Sequence, residues 1–260
     1  MSFKVVIPAR LASERLPGKA LCEVAGVPLV VRVLRQAKLS GAGQVIVATD
    51  HETIAAAVRA DGGQAVMTSS EHTSGTDRVA EVVRSAGWAP DETVINVQGD
   101  EPMIPPALID QCAELLADAR ADIATLCHPL EDATELGRSD VVKVVCDRDG
   151  FALYFSRAPI PFDRERGDAG GSTGQQDGDE RGPAGYRHVG IYGYRVASLL
   201  RMADADPAPL ERREKLEQLR ALWLGMRIRV GQACVLPGPG VDTPADLARV
   251  EALLSEGADR

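Results

Sequence analysis

The chain lacks an excess of positive charge: 29 Lys and Arg against 38 Asp and Glu leave a net charge of −9 over 260 residues. A surface built to neutralise nucleic-acid phosphates would leave the chain basic, so the charge argues against general nucleic-acid binding. It has no cysteine pair at metal-ligand spacing. Cys22, Cys112, Cys127, Cys146 and Cys234 are scattered and odd in number, which suits reduced, buried thiols rather than a disulfide frame or a zinc site. No apolar run approaches the length of a membrane span. The N-terminus passes straight into a strand-like run at Phe3, without the basic and apolar segments of a secretory leader, so a soluble cytoplasmic protein is expected. Two nucleotide fingerprints are missing as well, since neither GxGxxG nor GxxxxGK[ST] follows the first strand-like run. The first of these absences disfavours a dinucleotide-dependent oxidoreductase. There is no internal repeat.

What the chain does have is alternation. Phe3–Pro8, Gln44–Thr49, Gln64–Met67, Thr93–Val97, Asp122–Cys127, Val141–Val145 and His188–Tyr194 read as strands. Leu29–Leu39, Glu52–Ala60, Gly75–Ser85, Pro106–Ala119, Pro209–Trp223 and Thr243–Leu254 read as helices. The last has Thr243 at its N-cap and Pro244 in its first position. Strands alternating with helices of this length imply βαβ units, and hence a mainly parallel sheet with helices on both faces of a single α/β domain. Ligands of such sheets sit beyond the carboxyl ends of the strands. The stretch from Arg164 to Gly185, rich in Gly, Asp and Gln and nearly free of apolar residues, is expected to be a mobile surface loop.

The segment after the first strand reads PARLASERLPGKAL and gathers Arg10, Arg15 and Lys19, with Ser13 as a hydroxyl and Gly18 allowing close backbone approach. Cations with exposed amides at this position make a polyphosphate cradle. Charge alone fits a solvated surface equally well; the place after a strand favours the cradle. Asp100 follows Thr93–Val97 and could hold Mg²⁺ together with triphosphate oxygens, or could be a turn residue capping the next helix. For Glu101 the capping role is expected. Asp242 stands before the last helix as a second candidate ligand or as a cap. Lys143, unusual inside VVKVV, is expected at an edge or facing a second subunit, and His51 and His128 at the surface or in caps.

Taken together, IPARLASERLPGKAL, ATDHETI, HTSGTDRVAEV, VINVQGDEPMI, VVKVV, ALYFSRAPIPF, RHVGIYGYR, PLERREKLEQLR and PGPGVDTPADL resemble, in order, the CMP-KDO synthetases (3-deoxy-manno-octulosonate cytidylyltransferases) over nearly the whole chain. The related CMP-sialate synthetases share the first loop but differ around FSRAPIPF and RHVGIYGYR. The resemblance implies a nucleotide-diphospho-sugar-transferase-like α/β fold with a small sugar-binding and dimerisation lobe at about residues 130–225. It also implies a homodimer and Mg²⁺-dependent transfer of CMP from CTP to KDO for lipopolysaccharide synthesis. It makes Ala9, Arg10, Ser13, Arg15, Lys19, Ser74, Gly75, Asp77 and Arg78 the nucleotide contacts, with Lys19, Arg10 and Asp100 catalytic. Asp100 and Asp242 become the metal ligands, and Gln98, Arg157, His188, Tyr192 and Glu211 the sugar-acid contacts. His188 and Tyr192 also suit a core or sheet position, and Glu211 a helix N-terminus. Alternatives are a cytidylyltransferase for 8-amino-KDO or sialic acid, and a non-catalytic nucleotide-binding protein on the same scaffold.

Overall fold

The computed structural model describes residues 2–258 apart from Glu14, Glu131 and residues 165–182. Most of the stretch expected to be a mobile loop therefore lies outside the described residues.

The first half of the chain alternates as its pattern demands. β1 (Phe3–Ala9) leads through a 3-10 turn (Lys19–Leu21) and a small hairpin, β2 (Glu23–Val24) and β3 (Val27–Pro28), into α1 (Leu29–Lys38). Then come β4 (Gln44–Thr49), α2 (Glu52–Ala60), β5 (Gln64–Met67), α3 (Gly75–Ala86), β6 (Thr93–Asn96) and α4 (Pro106–Leu115). The second half runs β7 (Ile123–Pro129), β8 (Lys143–Cys146), β9 (Ala152–Ser156), β10 (Tyr186–Arg195), α5 (Val196–Ala203), α6 (Pro209–Glu214), α7 (Gln218–Trp223), β11 (Ile228–Gln232) and α8 (Pro244–Ala258).

The main sheet has the order β11-β7-β10-β6-β1-β4-β5, with β8 joined to β10 and β9 joined to β8. β1 is parallel to β4 and β6, β4 to β5, and β7 to β11, whereas β10 is antiparallel to both of its neighbours on this path. Only β10 therefore runs against the others in that order, and the expected mainly parallel sheet is what the chain forms.

Strand alternation sends side chains to two separate cores. From β1, Phe3, Val5 and Ile7 join a cluster with Val30, Val33 and Leu34 of α1, Ile54 of α2 and Leu108 of α4. Val6 faces the other way and packs with Val79 and Val83 of α3 and Leu199 of α5. α1 carries three valines, which lose rotamer freedom in a helix, so burial rather than propensity holds it. A third cluster, Val24, Leu29, Val241 and Val250, docks α8 against the β2–β3 hairpin.

Two expectations are corrected. Pro209–Trp223 is not one helix but α6 and α7, broken at Lys215, whose φ is 55°. Tertiary contacts impose the break: the Glu214 carboxylate accepts from Ser156 Oγ at 2.7 Å and Arg157 N at 2.9 Å, pinning the end of α6 to β9. Lys143 is not at an edge. It lies on β8 between β9 and β10, has no exposed surface, and donates to the carbonyls of Arg138, Val141 and Arg157 at 2.6–2.8 Å. Three backbone acceptors are what allow an ammonium to be buried there.

Candidate active site

The carboxyl ends of β1 and β6 open into a cleft of about 390 Å³. The loop after β1 forms one wall, tied down by Asp50 at the end of β4. Asp50 accepts from Leu11 N at 3.1 Å and from the buried Arg78 guanidinium at 3.0 Å. Arg78 also donates to Thr68 Oγ1 and the Ser69 carbonyl, so its position is over-determined before any ligand arrives. On the same side the Ser74 hydroxyl caps α3 by accepting from Asp77 N at 3.1 Å. Gly18 takes a left-handed φ of 66°, the conformation that costs glycine least, and opens the 3-10 turn that carries Lys19.

The opposite wall joins two segments far apart in sequence. Val241 N donates to the Asp100 carbonyl at 2.8 Å. At Gly238 a Cβ would stand 2.5 Å from that of Met103, so only glycine lets the segment before α8 lie on the loop after β6. Thr243, as expected, caps α8: its Oγ1 accepts from Asp246 N while Asp246 accepts from Thr243 N. Asp242 is thereby relieved of capping. The Asp100 and Asp242 carboxylates converge on one cation, the Lys19 ammonium, at 2.7 and 3.0 Å, and Arg15 reaches Asp242 at 3.1 Å.

Charge is concentrated here. Burial opposes the Lys19 ammonium, but Asp100 and Asp242 outweigh it and hold its pKa above the ordinary value. Glu101 does not cap a helix: α4 starts behind Pro105 with no side-chain cap. Burial of its carboxyl, with Asp100 and Asp242 beside it, pushes Glu101 up to about 7. Arg10 makes no ion pair among the described residues and is exposed at the rim.

A smaller pocket of about 170 Å³ adjoins the cleft, and Gly75, Gln98 and Glu217 line both. Tyr192 and Tyr194 of β10 form its floor, and Lys215, Glu217 and Gln218 come from the break between α6 and α7. Two buried polar atoms of its lining residues, Asn96 Oδ1 and Gln218 Nε2, have no hydrogen-bond partner among the described residues. An acceptor and a donor left unmet at the wall of a pocket cost free energy unless water or a ligand reaches them. Glu217 accepts from Thr76 Oγ1 at 2.5 Å, and burial, only partly offset by that bond, raises its pKa.

Of the residues singled out in the sequence, Ala9, Arg10, Ser13, Arg15, Lys19, Ser74, Gly75, Arg78, Gln98, Asp100 and Asp242 line the cleft, and Tyr192 lines the smaller pocket. Asp77, Arg157, His188 and Glu211 line neither. The Arg157 guanidinium donates to the carbonyls of Glu214 and Ser139. His188 is enclosed between Phe155 and Tyr192, its Nε2 lies 3.0 Å from Thr125 Oγ1, and burial depresses it to about 3, so it is neutral. Glu211 is buried, receives the Ala208 amide and pairs with Arg220 at 2.5 Å. His51 caps α2, whereas His128 is buried and hydrogen-bonded to the Pro129 carbonyl rather than exposed. Glu217, Gln218 and Asn96 escaped the sequence reading, and Glu101 was expected only as a cap. Glu217 and Gln218 could have been found only by seeing that the PLERREKLEQLR helix breaks.

A profile of the cytidylyltransferase family matches residues 4–228. The chain is similar to a solved structure described as CMP:2-keto-3-deoxy-manno-octonic acid synthetase complexed with CTP, with 39% identity, a TM-score of 0.87, and coverage of 99% of this chain and 100% of that one. A second solved structure, a cytidylyltransferase from Leptospira borgpetersenii serovar Hardjo-bovis, shares the fold at 15% identity and a TM-score of 0.62, covering 98% of this chain and 87% of its own.

Proposed function

We propose a reaction for this chain on the premise that it belongs to the CMP-KDO synthetase family of cytidylyltransferases. It is a nucleotidyltransferase that uses CTP; the reading proposed is that it moves CMP from CTP to KDO and releases pyrophosphate. The observation that carries this is the convergence of Asp100, Asp242, Lys19 and Arg15 at one end of a cleft whose other end opens on a polar pocket.

Arg10, Arg15 and Lys19 meet the triphosphate, with guanidinium forks suited to phosphate oxygens and the ammonium as a point charge. Ala9, Ser13, Ser74, Gly75 and Arg78 hold the nucleoside side, Arg78 from a position fixed by Asp50 and Thr68. Mg²⁺ fits the donor set: two hard carboxylates that already converge on one cation. Asp100 and Asp242 would hold the ion, and it would supply charge stabilisation at the α-phosphate.

The smaller pocket suits the sugar acid. Asn96 Oδ1 and Gln218 Nε2 offer an unmet acceptor and donor to hydroxyls, Gln98 and Glu217 stand at the junction with the cleft, and Lys215 offers the carboxylate a cation. Arg157, His188 and Glu211 act from behind this pocket, by fixing the Glu214–Lys215 corner, Tyr192 and α7 respectively. In-line attack of the KDO anomeric hydroxyl on the α-phosphorus then expels pyrophosphate, with positioning and electrostatics supplying the rate. The same reading makes the protein a cytoplasmic homodimer that activates KDO for lipopolysaccharide. Pyrophosphate release from CTP and Mg²⁺ is expected with KDO and much less with sialic acid; no release with KDO sinks the reading.

A further inference from the structure

The Lys19 ammonium occupies an odd place for a phosphate ligand. It is directed at two carboxylates, 2.7 Å from Asp100 Oδ2 and 3.0 Å from Asp242 Oδ1, and its side chain is only 19% exposed. Asp100 has no other cationic partner among the described residues, whereas Asp242 also has Arg15, whose side chain is 67% exposed. Remove the ammonium and the corner holds carboxylates with one loosely held guanidinium to balance them.

We propose that Lys19 is a built-in stand-in for the divalent cation: in the nucleotide-free chain its ammonium holds Asp100 and Asp242 together, and binding of metal with triphosphate transfers it to phosphate oxygens. This rests on the CTP- and metal-dependent reading above. A metal arriving alone must displace an ammonium that has nowhere equivalent to go. A metal arriving with triphosphate brings the anion that receives it. Metal and nucleotide binding are therefore positively coupled through one side chain, and by linkage the coupling is reciprocal. Lys19 then acts twice, as a phosphate contact in the loaded enzyme and as a brake on premature metal binding in the empty one.

The test is Mn²⁺ binding to nucleotide-free protein, read from the electron paramagnetic resonance signal of free Mn²⁺. Lys19→Met, which keeps the stem and removes the charge, should bind Mn²⁺ about tenfold more tightly than wild type. Lys19→Arg should retain wild-type affinity. Lys19→Gln, which also removes the charge, should show a similar gain and serves if Lys19→Met does not fold by circular dichroism, whereas Arg15→Met should show a smaller one, about twofold. Adding CTP should tighten Mn²⁺ on wild type and remove most of the Lys19→Met advantage, and adding Asp100→Asn to Lys19→Met should abolish the gain. Unchanged or weaker Mn²⁺ affinity in Lys19→Met, or in Lys19→Gln if that is the variant measured, overturns the proposal. Pyrophosphate release by wild type with CTP and KDO separates the two claims. Turnover without a gain in Mn²⁺ affinity removes the stand-in role alone, and a gain without turnover sustains it while removing the reaction.

Discussion

The cleft beyond β1 and the smaller pocket beside β10 are built by different means. In the cleft the chemistry hangs on backbone: strand ends, a left-handed Gly18, a capped α3 and the glycine contact that seats Asp242 by Asp100. In the smaller pocket it hangs on side-chain contacts between remote elements, the Glu214 clasp on β9 and the buried Glu211–Arg220 pair. Most of the polar residues singled out in the first region line the open cleft. Several in the second are spent on holding the fold, so a mutation there should unfold the protein before it slows it.

The sharpest way to break that contrast is Asp100→Ala. Its turnover should fall by about a thousandfold or more, with circular dichroism and melting little changed. Retained turnover would remove the metal role of Asp100. Glu211→Ala should do the reverse. It leaves the Arg220 guanidinium buried and unpaired, so stability in urea should drop by about 3 kcal/mol, while the folded fraction keeps wild-type KM for both substrates. A raised KM for KDO with unchanged stability would return Glu211 to the sugar site.

The sequence showed one region and not the other for the same reason. Arg10, Arg15, Lys19 and Asp100 lie where βαβ order alone puts a ligand, and order is visible in hydrophobic periodicity. That Asp100 and Asp242 meet was not visible, because it depends on Gly238 lying against Met103. Near β10 the periodicity misled. PLERREKLEQLR has the pattern of one continuous helix, and only the pull of Ser156 and Arg157 on Glu214 breaks it and turns Glu217 and Gln218 toward the pocket. Lys143 fits the same lesson: nothing local announces the three carbonyls that bury it.

Gln218→Leu tests the smaller pocket at finer scale. It deletes a buried donor without a partner among the described residues, so the empty protein should be unchanged or slightly more stable, yet the KM for KDO should rise about tenfold. Loss of stability with an unaltered KM would show that Gln218 serves the fold instead. The smallest effect expected is at Glu101. The folded chain keeps this carboxyl protonated up to about 7, against an ordinary value of 4.5, so it binds more protons than the unfolded chain in that window. Stability is therefore lost as pH rises through it. Glu101→Gln escapes that loss. Without divalent metal, its melting temperature should gain about 3 °C on wild type between about pH 5 and about pH 8, and a gap that stays constant contradicts the assignment.

The central claim is that the cleft holds CTP with one metal shared by Asp100 and Asp242. A crystal structure of the protein with CTP and Mg²⁺ tests it most directly. The account predicts an ion about 2.1 Å from an oxygen of each carboxylate and bonded to triphosphate oxygens, with Arg10 and Arg15 on the phosphates. A triphosphate bound away from the loop after β1, or an ion that touches neither aspartate, would contradict it.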